Sequence, residues 1–502
     1  MVGTSTSDYI FIRTSIILLH LVAPSSVAYS LASSIGRLPF QPPRVLHVWL
    51  ILEAIFYLVI YLPRKKYLQR AARHPALPCR DDRRKLFWRC HRNIPDPVQY
   101  LRKWFRGASE EEIKRDNVKD FFRWAFLSIG EPDSAYDEEI EEYTEEMEKL
   151  LGRRLEPGRG NASCLRLTLE NVEMLHRSLM WYLCIFIVDT TASIYMRFHS
   201  FHFYRPSFLR FLYNFPLRLL TLFATNRSPA SNLTYWYRPH TSKTRLPILF
   251  IHGIGVGLYP YINFLADLNT SNGEDRSDGQ LGVIAIEIMS ISSRITAEAM
   301  SKDEMCNEIQ VILKAHGWDK VVLITHSRVF SRHYNPSYGS IVAAYLLRHA
   351  QMAQTIGPVF FIDPVSFLLH LPDVINNFIY RKPSRPNEYL LSYFGSKDMG
   401  VSHTLFRRFF WADSVLWKED IQNRRVSVAL AGRDIVTNAE IIRAYLTNSD
   451  DWFTATGGRA DELWRGDCLD VLWFQDLDHG QTFDEKETRS RLIQVAKGLC
   501  RE

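Results

Sequence analysis

Cysteine is sparse and scattered. The seven residues, Cys79, Cys90, Cys164, Cys184, Cys306, Cys468 and Cys500, are odd in number and far apart, and no CxxC pair occurs among them. That spacing argues against a dense disulfide framework and against a zinc site. Cys90-His91 is the nearest approach to a metal pair, and adjacent residues rarely ligate together without further partners. No metal and no cofactor is expected. Charge of one sign is lacking too: 61 Lys and Arg against 55 Asp and Glu leave a net charge of +6 over 502 residues. The basic residues build no continuous face, so nucleic acid is not an expected partner. Disorder on a large scale is excluded by a composition that is 46% hydrophobic and 23% charged.

Long apolar runs, in contrast, are present. Val45 to Leu62 reads VLHVWLILEAIFYLVIYL, with Glu53 as its one acid, and Arg64-Lys65-Lys66 follows. As a helix this stretch would extend roughly 27 Å, about a hydrocarbon core. Thr14 to Ile35 is a weaker run, and a hairpin of two spans is the preferred reading of residues 1–66. The excess of Arg and Lys at positions 64, 65, 66, 70 and 73 would place the rest of the chain on the cytoplasmic side. Sequons at Asn161, Asn226, Asn232 and Asn269 offer a check, because a glycan on any of them would require the opposite orientation.

Two later runs stay open between membrane contact and simple cover for the domain behind them. Leu179 to Met196 is apolar enough to insert, yet Asp189 would be costly at the bilayer centre. Phe208 to Ala224 mixes Phe and Leu with Arg210 and Arg218, a pattern that suits a helix lying in the lipid interface with its arginines reaching to headgroups.

Residues 67–155 read as a helical region. It ends in an acidic helix whose Ile140, Tyr143, Met147 and Leu150 recur at helical spacing as one narrow apolar stripe. Residues 156–240 are expected to hold the hydrophobic helices, open between membrane association and cover. From 241 to 502 short apolar runs alternate with helical stretches, the sign of a parallel sheet. Strands are expected at 248–251, 283–288, 321–325, 359–362, 426–431 and 471–474, with a helix over 297–316. Residues 366–425 interrupt this rhythm, are rich in Phe, Leu and Trp, and read as a helical lid over an acyl- or lipid-sized pocket.

Chemistry gathers at the carboxyl ends of parallel strands. Four expected strands run into His252-Gly253-Ile254-Gly255, Thr325-His326-Ser327, Gly432-Arg433-Asp434 and Leu477-Asp478-His479-Gly480. The order Ser…Asp…His, each behind a strand, is the order of an α/β-hydrolase triad. A serine hydroxyl is a weak nucleophile until an imidazole takes its proton, and a buried carboxylate fixes the tautomer of that imidazole. The expected catalytic residues are Ser327, Asp434 and His479, with Asp363 as a rival acid. The backbone at Ile254 and Gly255 is the expected oxyanion site.

The tract LPILFIHGIGVGLYPYINFL, together with IDPVSFLLHLPD, SKDMGVSHTLFRRFFW, LAGRD and LWFQDLDH, resembles the α/β-hydrolase superfamily over residues 245–500. Within it, the chain is similar to membrane-associated fungal hydrolases carrying an "AB hydrolase-1" domain. The resemblance implies an α/β-hydrolase fold and a triad, and it implies no particular substrate.

The nucleophile turn departs from that pattern. Ser327 is followed by Arg328 and Val329, where the family carries a small residue two places on. Deleting Arg328 to Ser337 gives THSYGSIVAAYLL, and deleting Ser327 to Pro336 gives the identical string. Ser327 and Ser337 therefore remain alternatives for the family serine. The expected function is a membrane-anchored serine hydrolase cleaving an ester, thioester or lipid through an acyl-enzyme. An acyltransferase on the same triad, and a catalytically inactive membrane scaffold, are the other readings.

Overall fold

The computed structural model describes residues 5–36, 42–269, 278–326, 338–448 and 462–501. Within them nine strands form one sheet: β1 (His202–Tyr204), β2 (Thr234–Arg238), β3 (Ile248–Ile251), β4 (Val283–Glu287), β5 (Val321–His326), β6 (Ile356–Ile362), β7 (Val426–Ala431), β8 (Glu462–Arg465) and β9 (Leu469–Phe474). Their order is β1-β2-β4-β3-β5-β6-β7-β9-β8. The central run from β4 to β9 is parallel, while β1, β2 and β8 add antiparallel at the edges. This is the α/β-hydrolase fold, preceded by apolar N-terminal helices.

The central strands are continuous apolar runs because both faces of the sheet are covered. In β3, Leu249 and Ile251 enter the core on one face, and Ile248 and Phe250 enter the core on the other. Two strands lie upstream of residue 241, so the boundary expected there separates β1 and β2 from their own sheet. The run Thr234-Tyr-Trp-Tyr-Arg238 pairs antiparallel to β4 along its full length, and its aromatic residues pack on both sides of the sheet.

The N-terminal helices α1 (Thr6–Ser34) and α2 (Arg44–Tyr67) form a hairpin clamped to the domain at its base. On α1, Ile12 and Ile16 pack on Tyr393. On α2, the Tyr61 hydroxyl donates to Met174 O at 3.3 Å and Arg64 donates to Thr296 O. Beyond that base the hairpin exposes apolar side chains such as Leu31, Val45 and Val48. Glu53, the lone acid of the run, is fully buried and accepts the N–H of Leu179 at 2.8 Å. It therefore caps the start of α3 (Leu179–Phe198) and offsets that helix's positive end.

Helix α3 covers the sheet domain with one face, where Tyr182, Ile185 and Met196 are buried. Asp189 lies on this inner face and forms a bidentate pair with buried Arg294, which removes the difficulty of a carboxylate facing lipid. Arg218 corrects an expectation. It does not reach to headgroups but turns inward, bonding both carboxylate oxygens of Glu287 at 2.6 and 3.1 Å. Arg210 stays exposed beside Asn232.

Helices α4 (Lys302–Ala315) and α5 (Gly339–Arg348) cover one face of the sheet, and α6 (Lys486–Cys500) covers the other. Helix α4 starts five residues later than expected, because Ser301 and Glu304 form a reciprocal capping box. The acidic helix Asp137–Leu151 buries Ile140, Tyr143 and Met147 as its stripe predicts. Its acids are matched by the basic helix Arg80–Arg92 through Arg80–Glu138, Arg83–Glu139 and Arg84–Glu142.

Residues 366–425 form a set of short helices wedged between the sheet and the N-terminal helical region. Lys103 pairs with Asp373 at 2.7 Å, Trp411 donates to Ala125 O at 2.9 Å, and Arg407 donates to Arg70 O at 2.6 Å. The segment is thus a fixed cap, held from above as well as below.

Candidate active site

The carboxyl ends of β7 and β9 bring Asp434 and His479 together. His479 is fully buried, and its Nδ1 lies 2.5 Å from Asp434 Oδ2. Asp434 is itself held by its loop: Oδ1 accepts the N–H groups of Val436 and Thr437 at 2.7 and 3.0 Å, and Oδ2 accepts the Thr437 hydroxyl at 2.7 Å. These bonds fix the carboxylate so that it can hold one face of the imidazole. Among the described residues, His479 Nε2 is buried and makes no hydrogen bond. Burial acts to lower the pKa of this imidazole, but the charge and hydrogen bond of Asp434, with Asp363 and Asp478 behind it, outweigh that and raise it.

The rival acid Asp363 is present but does not hydrogen-bond the imidazole. It is buried at the end of β6 in a left-handed conformation, φ 48°. Its Oδ1 accepts the Ala431 N–H at 3.1 Å and its Oδ2 accepts the Gly480 N–H at 2.8 Å. It therefore ties three strand ends together beneath the histidine loop. Burial pushes its carboxyl up to about 7, partly opposed by His479. Asp478 is pushed up to about 8 by burial and then by the charge of Asp434, and its Oδ1 accepts the His479 N–H at 2.7 Å. Three carboxyl groups thus surround one imidazole.

The loop after β3 is braced from two sides. His252 donates from Nδ1 to Gly253 O at 2.6 Å and accepts the Ile288 N–H at Nε2, 2.9 Å away. Both nitrogens are committed to backbone, which fixes a neutral ring, and burial lowers its pKa. Tyr261 accepts the Gly253 N–H at 3.3 Å and lies 3.0 Å from His326 Nδ1, joining this loop to the end of β5. Of the two expected oxyanion residues, Gly255 is withdrawn: its N–H donates to Ile291 O at 2.9 Å. Its φ of 153° turns it that way, and Ser293 Oγ donates to its carbonyl at 2.9 Å. The Ile254 N–H makes no hydrogen bond among the described residues.

Ser327, Ser337 and the residues between them lie outside the described residues. A Cβ at Gly339 would meet His326 O at 2.6 Å and Ile251 O at 3.0 Å. The start of α5 is thus seated directly on the end of β5, as at a tight strand-to-helix turn, although eleven residues separate Tyr338 from His326.

A cavity of about 390 Å³ lies between the cap residues Phe409–Asp413 and the N-terminal residues His74, Trp124 and Ile129. A second, of about 420 Å³, lies beyond β4 among Arg210, Glu287, Glu298 and Arg408. Neither is lined by Ile254, Asp434 or His479.

The supporting residues Tyr261, Asp478 and Ser293 were not singled out in the sequence. Tyr261 sits ten residues after Ile251, and nothing in its spacing marks a hydroxyl that would bridge two loops.

No family profile and no curated protein matches the chain. Among solved structures it is similar to a membrane phospholipase A described as a bacterial virulence factor, at 12% identity over 64% of this chain and 94% of that one, TM-score 0.37. It is similar also to carboxylesterase CesB of Bacillus subtilis, at 9% identity over 63% and 98% of the two chains, TM-score 0.36. A third is naproxen esterase of Bacillus subtilis, at 10% identity over 53% and 87%, TM-score 0.33.

Proposed function

We propose that this chain is a membrane-anchored serine hydrolase that cleaves an ester, thioester or lipid through an acyl-enzyme. The reading rests above all on one observation: His479 Nδ1 held 2.5 Å from Asp434 at adjacent strand ends, with Nε2 left for the nucleophile. In the reaction the serine Oγ gives its proton to His479 Nε2 as it attacks the acyl carbon. Asp434 stabilises the imidazolium without taking the proton. The Ile254 N–H and the amide following the serine receive the charge that develops on the carbonyl oxygen. Collapse expels the alcohol or thiol, which takes the proton from Nε2. Water then attacks the acyl-enzyme with His479 as base, and the acid is released.

Fluorophosphonate labelling of the full chain in membranes, with the modified peptide mapped by mass spectrometry, tests this reading. Label on Ser327 or Ser337, lost in His479→Ala, is the expected result. The segment 328–337 motivates the second reading, an inactive scaffold, because it separates the strand and helix halves of the nucleophile turn. No label on the full chain, with strong label after deletion of Arg328 to Ser337, would assign the protein as written to that second reading.

A further inference from the structure

Helix α3 is long and apolar enough to cross a bilayer, yet its inner face is bound to the catalytic domain along its whole length. Its outer face carries Leu183, Ile187, Ile194 and Phe198, with Phe198 82% exposed. Met196, on the inner face, is buried in the core beside the sheet, and Tyr195 bonds Asn263 at 2.9 Å. A helix fastened in this way cannot present lipid on all sides. It can present lipid on one.

The segment after β1 continues the same surface. Leu209, Tyr213 and Phe223 are each more than seven-tenths exposed, and Leu220 is 43% exposed. Arg197 at the end of α3 donates to Leu220 O at 2.8 Å, so the helix and this segment adjoin. The hairpin meets them at Phe56, whose ring lies 5.6 Å from Tyr182 of α3 and 5.8 Å from Phe215. Three elements far apart in sequence therefore adjoin, each carrying exposed apolar side chains, and the cations Arg197 and Arg210 are exposed among them. A patch of this kind marks an interaction site, and apolar side chains fringed by arginine suit the acyl–headgroup boundary.

Continuity with the projecting hairpin identifies the occupant. We propose that the outer face of α3 and residues 208–223 lie in one leaflet of the membrane that holds the hairpin, so that α3 lies along the interface and does not cross it. The proposal rests on the membrane-anchored reading above. It adds that the catalytic body itself is seated in lipid. The seat adjoins the oxyanion loop: Asp189 of α3 holds Arg294, and Phe215 pairs with Ile295, in the loop whose Ile291 O accepts the Gly255 N–H. An acyl substrate would then be drawn from the leaflet itself, as a membrane-resident lipid.

Native chemistry supplies the probe. Cys184 is exposed on the outer face of α3, Cys79 and Cys468 are exposed elsewhere, and the other four cysteines are buried. The experiment uses the full chain in vesicles of phosphatidylcholine with a minor share of phosphatidylserine. Spin labels are placed one at a time on Cys184, on Cys79, and on Leu220→Cys, Ile194→Cys and Val48→Cys in a background without exposed cysteines. Collision with oxygen, which concentrates in lipid, is compared with collision with an aqueous nickel chelate. Labels at 184, 194 and 220 are expected to gain oxygen contact several-fold and lose nickel contact, like Val48→Cys and unlike Cys79. Labels at 184 and 194 should sit at similar depth, whereas a spanning helix would separate them by about 15 Å. Lipid contact at Val48→Cys with water contact at Cys184 and Leu220→Cys overturns the proposal and leaves the anchor standing. A depth difference near the spanning value also overturns it. Water contact at Val48→Cys as well overturns the anchor and the seat together.

Discussion

Asp363 accepts the backbone N–H of Gly480 at 2.8 Å, while the ring of the preceding residue, His479, is held by Asp434. Two carboxylates thus act on one loop by different routes, one through its backbone and one through its imidazole. Replacement by Asn separates them. Asp434→Asn keeps the shape but puts an amide against Nδ1, disturbing the tautomer, and ester turnover is expected to fall by roughly three to four orders of magnitude. Asp363→Asn keeps one acceptor and removes a charge that raises the imidazole pKa. Turnover needs the neutral imidazole and so rises with pH through that pKa. The rising limb of the Asp363→Asn profile should move to lower pH with a much smaller loss in rate. A larger loss in Asp363→Asn than in Asp434→Asn would reverse the two roles.

The same cluster makes the fold sensitive to pH in a defined direction. Asp363, near 7, and Asp478, near 8, both hold protons in the folded chain that an ordinary carboxyl has lost by about pH 4. His479 is raised as well. Each group is raised on folding, so the folded chain binds more protons than the unfolded one between about pH 4 and 8. Stability from the cluster is therefore greatest at the acid end of this window and declines as pH rises through the folded values. Thermal unfolding at intervals from pH 5 to 8 should show that decline, and Asp478→Asn should flatten it. An unchanged slope in Asp478→Asn would place the proton uptake elsewhere.

Gly339 makes a prediction about the nucleophile turn that does not depend on which serine is used. A Cβ there would meet backbone oxygen at 2.6 and 3.0 Å, with no flexible side chain to give way. Gly339→Ala should lower stability by about 1–3 kcal/mol, as overpacking of a close contact does. Because the two ends of the 327–337 segment already converge on this contact, deleting Arg328 to Ser337 should leave the fold intact. Closing a loop of ten residues costs about 2 kcal/mol of chain entropy, so the shortened chain should melt no lower than the full one. A large fall in melting temperature on deletion would mean that the segment packs as part of the core.

The sheet was legible because its strands are short runs buried on both sides and bounded by helical sequence. The expected limits of β3 and β7 agree with the structure to the residue, and β6 differs only in starting three residues earlier, at Ile356. The edge strands were harder. Thr234 to Arg238 is aromatic on both faces and follows the apolar segments of α3 and residues 208–223, so its composition blends with theirs. The encounter of Asp434 with His479 could be anticipated from chain order and strand ends. The withdrawal of Gly255 could not, because it depends on Ile291 and Ser293 arriving from another loop. Arg218 was misplaced for a related reason: its partner Glu287 stands 69 positions away, and only the folded chain makes the arginine a buried ion.

The pair of Asp189 and Arg294 links α3 to the loop that holds Gly255, and its energetics can be tested apart from any activity. Both side chains are almost wholly buried. Leaving one charge unpaired in such a site costs about 3–5 kcal/mol, while replacing both ions by apolar side chains of similar volume is often neutral. Asp189→Leu and Arg294→Met should each lower the melting temperature strongly, and the double variant should recover most of the loss. Arg218, 3.9 Å from Asp189, keeps its bidentate bonds to Glu287 in all three variants and should soften the effect of losing Arg294 more than that of losing Asp189. Because Arg294 belongs to the loop whose Ile291 and Ser293 hold Gly255, fluorophosphonate labelling should slow in the single variants and return in the double one. Additive losses in the double variant would show that the two residues stabilise the chain independently and that the ion pair does not couple α3 to the oxyanion loop.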